Sequence, residues 1–146
     1  MDAQHVDTQH VDAQYAQAQH FYARQMQLLD AGSTDEWAAT FTEDGVFEVG
    51  DSAVHGSEDI ARAARKVADE FAAAGVQRRH WIGMLTVTPG GDGELTARSY
   101  ALVLEIPTGG EVVVRRSTVC TDRLVRSDGQ WRVKHRRVTR DGLDPA

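Results

Sequence analysis

An imidazole and a carboxylate that meet inside an apolar pocket form one of the simplest proton-transfer devices a protein can build. Strand alternation singles out where this chain could place them. In the run that starts at Val76, His80 shares a face with Ile82 and Met84; in the next run Tyr100 goes with Leu102 and Leu104; in the third, Thr118, Cys120, Asp122 and Leu124 go together. These faces are mostly apolar and are expected to line an interior. His80 and Asp122 are therefore polar groups on a surface that avoids water, and each needs a partner because burying an unpaired charge is costly. The other acid placed to look inward is Asp30, at the end of the first long helix. On the residues alone, several roles stay open. His80 is a hydrogen-bonded core histidine or a base; Asp30 is a helix terminator before Ala31 and Gly32 or the partner of that base; Asp122 is a pocket acid or the ion-pair partner of Arg123. Cys120 reads as a small core hydrophobe, and His55, before Gly56 and Ser57, as a loop residue.

The remaining histidines near the start follow from duplication. Residues 2–21 carry a five-residue repeat, DAQHV, DTQHV, DAQYA and QAQHF, which generates His5, His10 and His20. A step of five places successive positions about 140° apart on a helix, so these side chains share no face and cannot converge on a metal. We read residues 1–14 as a repetitive extension without a chemical role, and residues 15–142 as a single domain.

The elements that must position His80, Asp30 and Asp122 are legible in outline. From Tyr15, the spacing of Phe21, Tyr22, Met26, Leu28 and Leu29 predicts an amphipathic helix ending at Asp30. Ser33 with Glu36 forms a capping box that opens a short helix carrying Trp37, Ala38 and Phe41. GVFEVG (45–50) predicts a strand, 51–56 a second short strand or loop, and Ser57 caps a third helix stopped by Gly75. Beyond Val76, runs rich in Val, Thr, Leu and Ile at about 76–88, 94–106 and 111–126 are joined by PGGDG and PTGG, and SDGQ leads into a last strand at 131–139. These are hairpin signals. Helices first and an antiparallel meander afterwards define an α+β domain, with three N-terminal helices packed on one face of a curved, mostly antiparallel sheet. Such a cone opens into a pocket at its mouth.

Composition limits the partners. The 146 residues include 22 acidic and 16 basic side chains, a formal charge of −6, with 41% hydrophobic and 26% charged residues. A net negative chain repels phosphate backbones, which argues against nucleic acid. No apolar run is long enough for a membrane helix, and the start lacks the basic and apolar regions of a secretion signal, so a cytoplasmic location is expected. With Cys120 as the single cysteine, neither an internal disulfide nor a cysteine metal cluster is available.

The chain resembles the SnoaL-like members of the nuclear transport factor 2-like superfamily. The resemblance rests on YARQMQLLDAGSTDEWAATFTEDGVFEV (22–49), HGSEDI (55–60), RRHWIG (78–83) and TDRLVRSDGQWRVKHRRVTRDG (121–142). It implies the cone-shaped α+β barrel of that superfamily, which hosts many activities on one scaffold. Scytalone dehydratase, bile acid 7-alpha-dehydratase and hexachlorocyclohexane dehydrochlorinase have an Asp at the end of the first helix paired with a His in the strand after the third helix, and those positions hold Asp30 and His80. The same enzymes often carry a Tyr or Lys five residues before that Asp, where this chain has Gln25. Ketosteroid isomerases use an Asp late in the first strand, where this chain has Val49, so steroid isomerisation is disfavoured. Asp122 matches an acid found both in those isomerases and in the small beta subunits of ring-hydroxylating dioxygenases. The leaving-group Arg of the dehydrochlorinase, five residues after the strand Trp, corresponds to Arg136, although strict alternation turns Arg136 away from Trp131.

With the resemblance, Asp30 and His80 are the expected catalytic pair of a lyase or cyclase that needs neither cofactor nor metal. His80 would take a proton from a carbon next to a carbonyl or aromatic ring, while Asp30 fixes its tautomer. Tyr100, Gln25, Arg136 or a protonated Asp122 are the candidate donors to the developing or departing oxygen. Trp37, Phe41, Phe47, Trp81, Met84 and Leu102 are expected to line the pocket, with Tyr22 and Cys120 also contacting substrate. That lining suits a flat apolar molecule of polyketide, aromatic or terpenoid type. The alternatives are a non-catalytic binder or dioxygenase beta-type subunit, and an epoxide-opening enzyme in which Asp30 and Asp122 act together. Val113, Val119 and Val125 fall on the face opposite Asp122, which predicts a homodimer or higher homo-oligomer.

Overall fold

The structure, a computed structural model, describes the backbone of residues 3–145 and the side chains of residues 10–145. Helix α1 (Ala3–Asp30) leads into α2 (Thr34–Ala38), then strands β1 (Phe41–Val49) and β2 (Ser52–His55), helix α3 (Ser57–Ala74), and strands β3 (Val76–Pro89), β4 (Leu95–Pro107), β5 (Val113–Ser127) and β6 (Gln130–Arg140). The six strands form one sheet in the order β2-β1-β6-β5-β4-β3. Every pairing is antiparallel except that of β1 with β6. Three helices on one face of a mostly antiparallel curved sheet is the architecture expected from the sequence. No helix among the described residues is long and apolar enough to cross a membrane.

Helix α1 runs through the repeat without interruption, so residue 14 marks no break in it. Gln14, Ala18, Tyr22, Gln25 and Met26 are buried, a stripe at steps of three and four. The last two copies of the repeat thus contribute Gln14 and Ala18 to the packed side of the helix. The side chain of His5 lies outside the described residues. Two expected caps are absent: Ser33 makes no side-chain bond at the start of α2, and Gly56 rather than Ser57 takes the cap position of α3. The stop at Gly75 holds, with φ of 68° in the left-handed region that glycine enters without a Cβ penalty.

The inner face of the sheet has three zones along its strands. At one end Leu95, Ala97, Leu124, Trp131 and Val133 pack with Tyr22, Trp37 and Phe41 as the hydrophobic core. In the middle lies a buried polar belt of Ser99, Asp122 and Arg136. At the other end Ala101, Val103, Thr118, Cys120 and Val138 surround an open cavity. Small side chains on β4 and the alanines of α3 leave that end unfilled.

Candidate functional site

The cavity, about 340 Å³, is walled by Met26 and Leu29 of α1, Trp37, Phe47 and Val54, the Ala63, Ala64 and Val67 side of α3, and the inner residues of β3 to β6. Its lining is almost wholly apolar, interrupted by three cations or potential cations: Arg78, His80 and Arg136. Each is placed by a different local device.

His80 sits on the inner face of β3, two residues from Ile82, and opposite the last turn of α1. The Nδ1–H of His80 donates to Asp30 Oδ1 at 2.6 Å, and its backbone N–H donates to Oδ2 at 3.1 Å. Gln77 Nε2 donates to the Asp30 carbonyl at 3.0 Å, which pins the helix end to the strand. Both side chains are largely withdrawn from solvent, 14% exposed for His80 and 7% for Asp30. With Nδ1 held by a carboxylate, Nε2 is the basic nitrogen left for the cavity.

Arg136 forms the floor. Its Nε donates to Asp122 Oδ1 at 2.9 Å, and Nη2 donates to Asp122 Oδ2 at 2.8 Å and to Gln25 Oε1 at 2.7 Å. Tyr22 Oη donates to Asp122 Oδ2 at 2.6 Å, and Gln25 Nε2 donates to Thr40 Oγ1 at 2.7 Å. Burial alone would push the Arg136 pKa down, but the Asp122 carboxylate outweighs it and holds the guanidinium firmly protonated. Burial, reinforced by Asp122, raises the Tyr22 hydroxyl well above its ordinary range. Burial pushes the Cys120 thiol up to about 12, so it faces the cavity as a neutral group. Arg136 Nη1 makes no hydrogen bond among the described residues and is the donor left for a ligand.

The structure sorts the sequence-derived candidates into three groups. His80, Trp37, Phe47, Cys120 and Arg136 line the cavity; Asp30 stands behind His80, and Tyr22, Gln25 and Asp122 lie in the belt beneath. Trp81, Met84, Tyr100 and Leu102 do not contribute. They are 66%, 78%, 53% and 41% exposed on the outer face of the sheet. Trp81 alternates with His80 and so points outward. Met84 was expected beside His80, but a bulge sets Met84 and Leu85 against one residue of β4, with Met84 at φ of 53°, and turns it out. Tyr100 and Leu102 fall out of phase because β4 turns its small residues, Ser99 and Ala101, inward. The belt also closes the proposed roles of Gln25 and Asp122 as donors, since their polar atoms are already engaged. Asp122 pairs with Arg136 rather than Arg123, which is exposed and faces Glu94 at 3.6 Å. Neither Asp30 nor Asp122 lines the cavity, so the geometry gives no pair of carboxylates facing one water, as epoxide opening would require. Among the residues missed, Arg78 was findable: it is two positions before His80 on the same face.

This dyad, the floor and all of the cavity lining but Val138 lie within the stretch matched by the SnoaL-like domain, residues 12–137. The chain belongs to the SnoaL-like family. ActVI-ORFA from Streptomyces coelicolor is 36% identical, with a TM-score of 0.86 over 92% of this chain and 99% of that one. A Catenulispora acidiphila protein solved in complex with S-DNPA is 38% identical, with a TM-score of 0.79 over 89% of this chain and 95% of that one. An ntf2-like protein with a cystatin-like fold from Novosphingobium aromaticivorans, at 23% identity and a TM-score of 0.81 over 98% and 92% of the two chains, shares the fold. No curated protein matches. In this SnoaL-like chain the two ends of the inner sheet face divide the work: one is packed solid, and the other holds the cavity with His80 on its wall.

Proposed function

We propose that this SnoaL-like protein is a cofactor-free lyase or cyclase in which His80 acts as general base on a small, flat, apolar molecule of polyketide, aromatic or terpenoid type. The observation that carries this is the 2.6 Å contact of His80 Nδ1 with Asp30 at the wall of an apolar cavity. His80 Nε2 takes the proton from a carbon adjacent to a carbonyl, and the C–H electron pair moves onto the carbonyl oxygen. Asp30 stabilises the imidazolium that results. Arg136 Nη1 donates to the oxygen that gains charge, in surroundings of low dielectric where such a bond is strong. Return of the proton to a β-hydroxyl lets the enolate expel water and gives a dehydrated product; addition of the enolate carbon to a second carbonyl of the same molecule, with the proton passed from His80 to the new alkoxide, gives an isomeric ring. The S-DNPA complex of the Catenulispora relative supports a small-molecule ligand for this chain.

Asp30→Asn tests the pairing. The amide cannot stabilise an imidazolium, and turnover is expected to fall about 10²- to 10⁴-fold with the fold intact. The assay incubates purified protein with extract of a host lacking the gene and follows product by mass, one water lighter for dehydration and isomeric for cyclisation. Equal conversion by Asp30→Asn and wild type would defeat the Asp30–His80 pair as the catalytic device, and no conversion by either would favour a binding role. The exposed outer face at Trp81, Met84, Tyr100, Leu102 and Val119 is the surface proposed to hold a second copy of the chain.

A further inference from the structure

Three cationic groups line the cavity, and two have dedicated carboxylates: Arg136 has Asp122, and His80 has Asp30. Arg78 does not. It is partly buried on the inner face of β3, with its guanidinium 4.5 Å over the Phe71 ring of α3, and it makes no ion pair or side-chain hydrogen bond among the described residues. Burial pushes its pKa down, and the neighbouring acids Asp30 and Glu105 only partly offset that. Both acids are committed elsewhere. Asp30 gives its two oxygens to the ring and backbone of His80, and Glu105, the cross-strand neighbour of Arg78, pairs with Arg115 at 3.2 Å.

A partly desolvated guanidinium with no carboxylate in contact is costly unless something else supplies the charge. We infer that the ligand does: the cavity takes a molecule that carries a carboxylate, bound by Arg78 at the end of the cavity where β3 begins. A monoanion matches the single unpaired cation, and a carboxylate presents two coplanar oxygens to the planar fork of arginine. A dianionic phosphate would leave one charge without a partner among these apolar walls. Because residues i and i+2 of a strand are about 6.6 Å apart, a carboxylate at Arg78 places carbons a few bonds away beside His80. The stacking on Phe71 holds the guanidinium in place before the ligand arrives. This inference deepens the proposed function by naming a charged handle on an otherwise apolar substrate, and it rests on the cavity being the substrate site.

The test reads binding without turnover. The full chain is titrated by calorimetry with 1-naphthoate and with neutral 1-naphthamide, which differ only in the group that Arg78 would recognise. Wild type is expected to bind the naphthoate about tenfold or more tightly than the amide. Arg78→Gln should erase that ratio while leaving the naphthamide affinity and Tm nearly unchanged, and Arg78→Lys should keep part of it. His80→Asn should keep the ratio in full. Equal affinities in wild type, a ratio untouched by Arg78→Gln, or a ratio lost in His80→Asn instead would each overturn the inference. Failure of both ligands to bind would defeat the cavity as the substrate site and this inference with it, whereas binding without charge preference would defeat this inference alone.

Discussion

The Asp122 carboxylate receives three hydrogen bonds from Tyr22 and Arg136 in a region closed to solvent, and the consequences of breaking them differ in size. Asp122→Ala strands a buried guanidinium and is expected to cost about 3–5 kcal/mol. Tyr22→Phe removes one donor and leaves the ion pair, so a loss of about 1–2 kcal/mol is expected. Urea denaturation followed by circular dichroism separates the two; equal losses would mean that the ion pair is not what the belt depends on. Cys120 offers a prediction of the opposite kind. With its thiol pushed up to about 12 and its side chain buried, iodoacetamide at pH 8 should leave it unmodified in the native protein and label it fully in urea, as mass spectrometry would show. Rapid native labelling would contradict the packing around it.

At the scale of elements, β3 to β6 and their turns were readable because each carries a long β-rich run bounded by Gly or Pro signals, whereas β1 opens at Phe41, which the sequence reading put on the short helix that ends at Ala38. The faces of those strands were only partly readable, because alternation fails wherever a bulge inserts a residue. Arg136 is the instructive case. Strict alternation turns it away from Trp131, yet both are buried on the same face, because the β5–β6 register slips between Arg123 and Leu124 and leaves Lys134 unpaired. Nothing in WRVKHRRVT marks the bulge. It is identified by its result, the Arg136–Asp122 pair. Deleting Lys134 should therefore remove the bulge, keep Val133 and Arg136 facing inward, and leave a folded protein of slightly altered Tm. Inserting one alanine between His135 and Arg136 should turn the guanidinium outward and destabilise the fold by about 3–5 kcal/mol. If both variants melted alike, the bulge would not be what sets the direction of Arg136. The misassignment of Tyr100 and Leu102 has a different origin: large apolar residues were expected inside, whereas a cavity requires small ones there, and β4 supplies Ser99 and Ala101.

Across the whole molecule, the same choice that empties one end of the inner face loads the outer face with Trp81, Met84, Tyr100 and Leu102. An apolar outer surface of this kind is best covered by a second copy. Light scattering after gel filtration should show a dimer or higher oligomer for wild type, and Trp81→Arg combined with Leu102→Arg should release monomers; a monomeric wild type would contradict the assignment. The helices, the cone and the inward positions of His80 and Asp30 were legible in the residues, the pairing of the two as a dyad came from the family resemblance, and the contact between them is a fact of the structure. Whether that contact performs catalysis is decided most directly in the native host. There the gene is deleted and restored as wild type or as His80→Asn, with the Tm of the variant checked on purified protein and metabolites compared by mass. Accumulation of a precursor that wild type clears and His80→Asn does not, with product one water lighter or isomeric, is the expected result. Full restoration of the metabolite profile by His80→Asn would contradict His80 as the base.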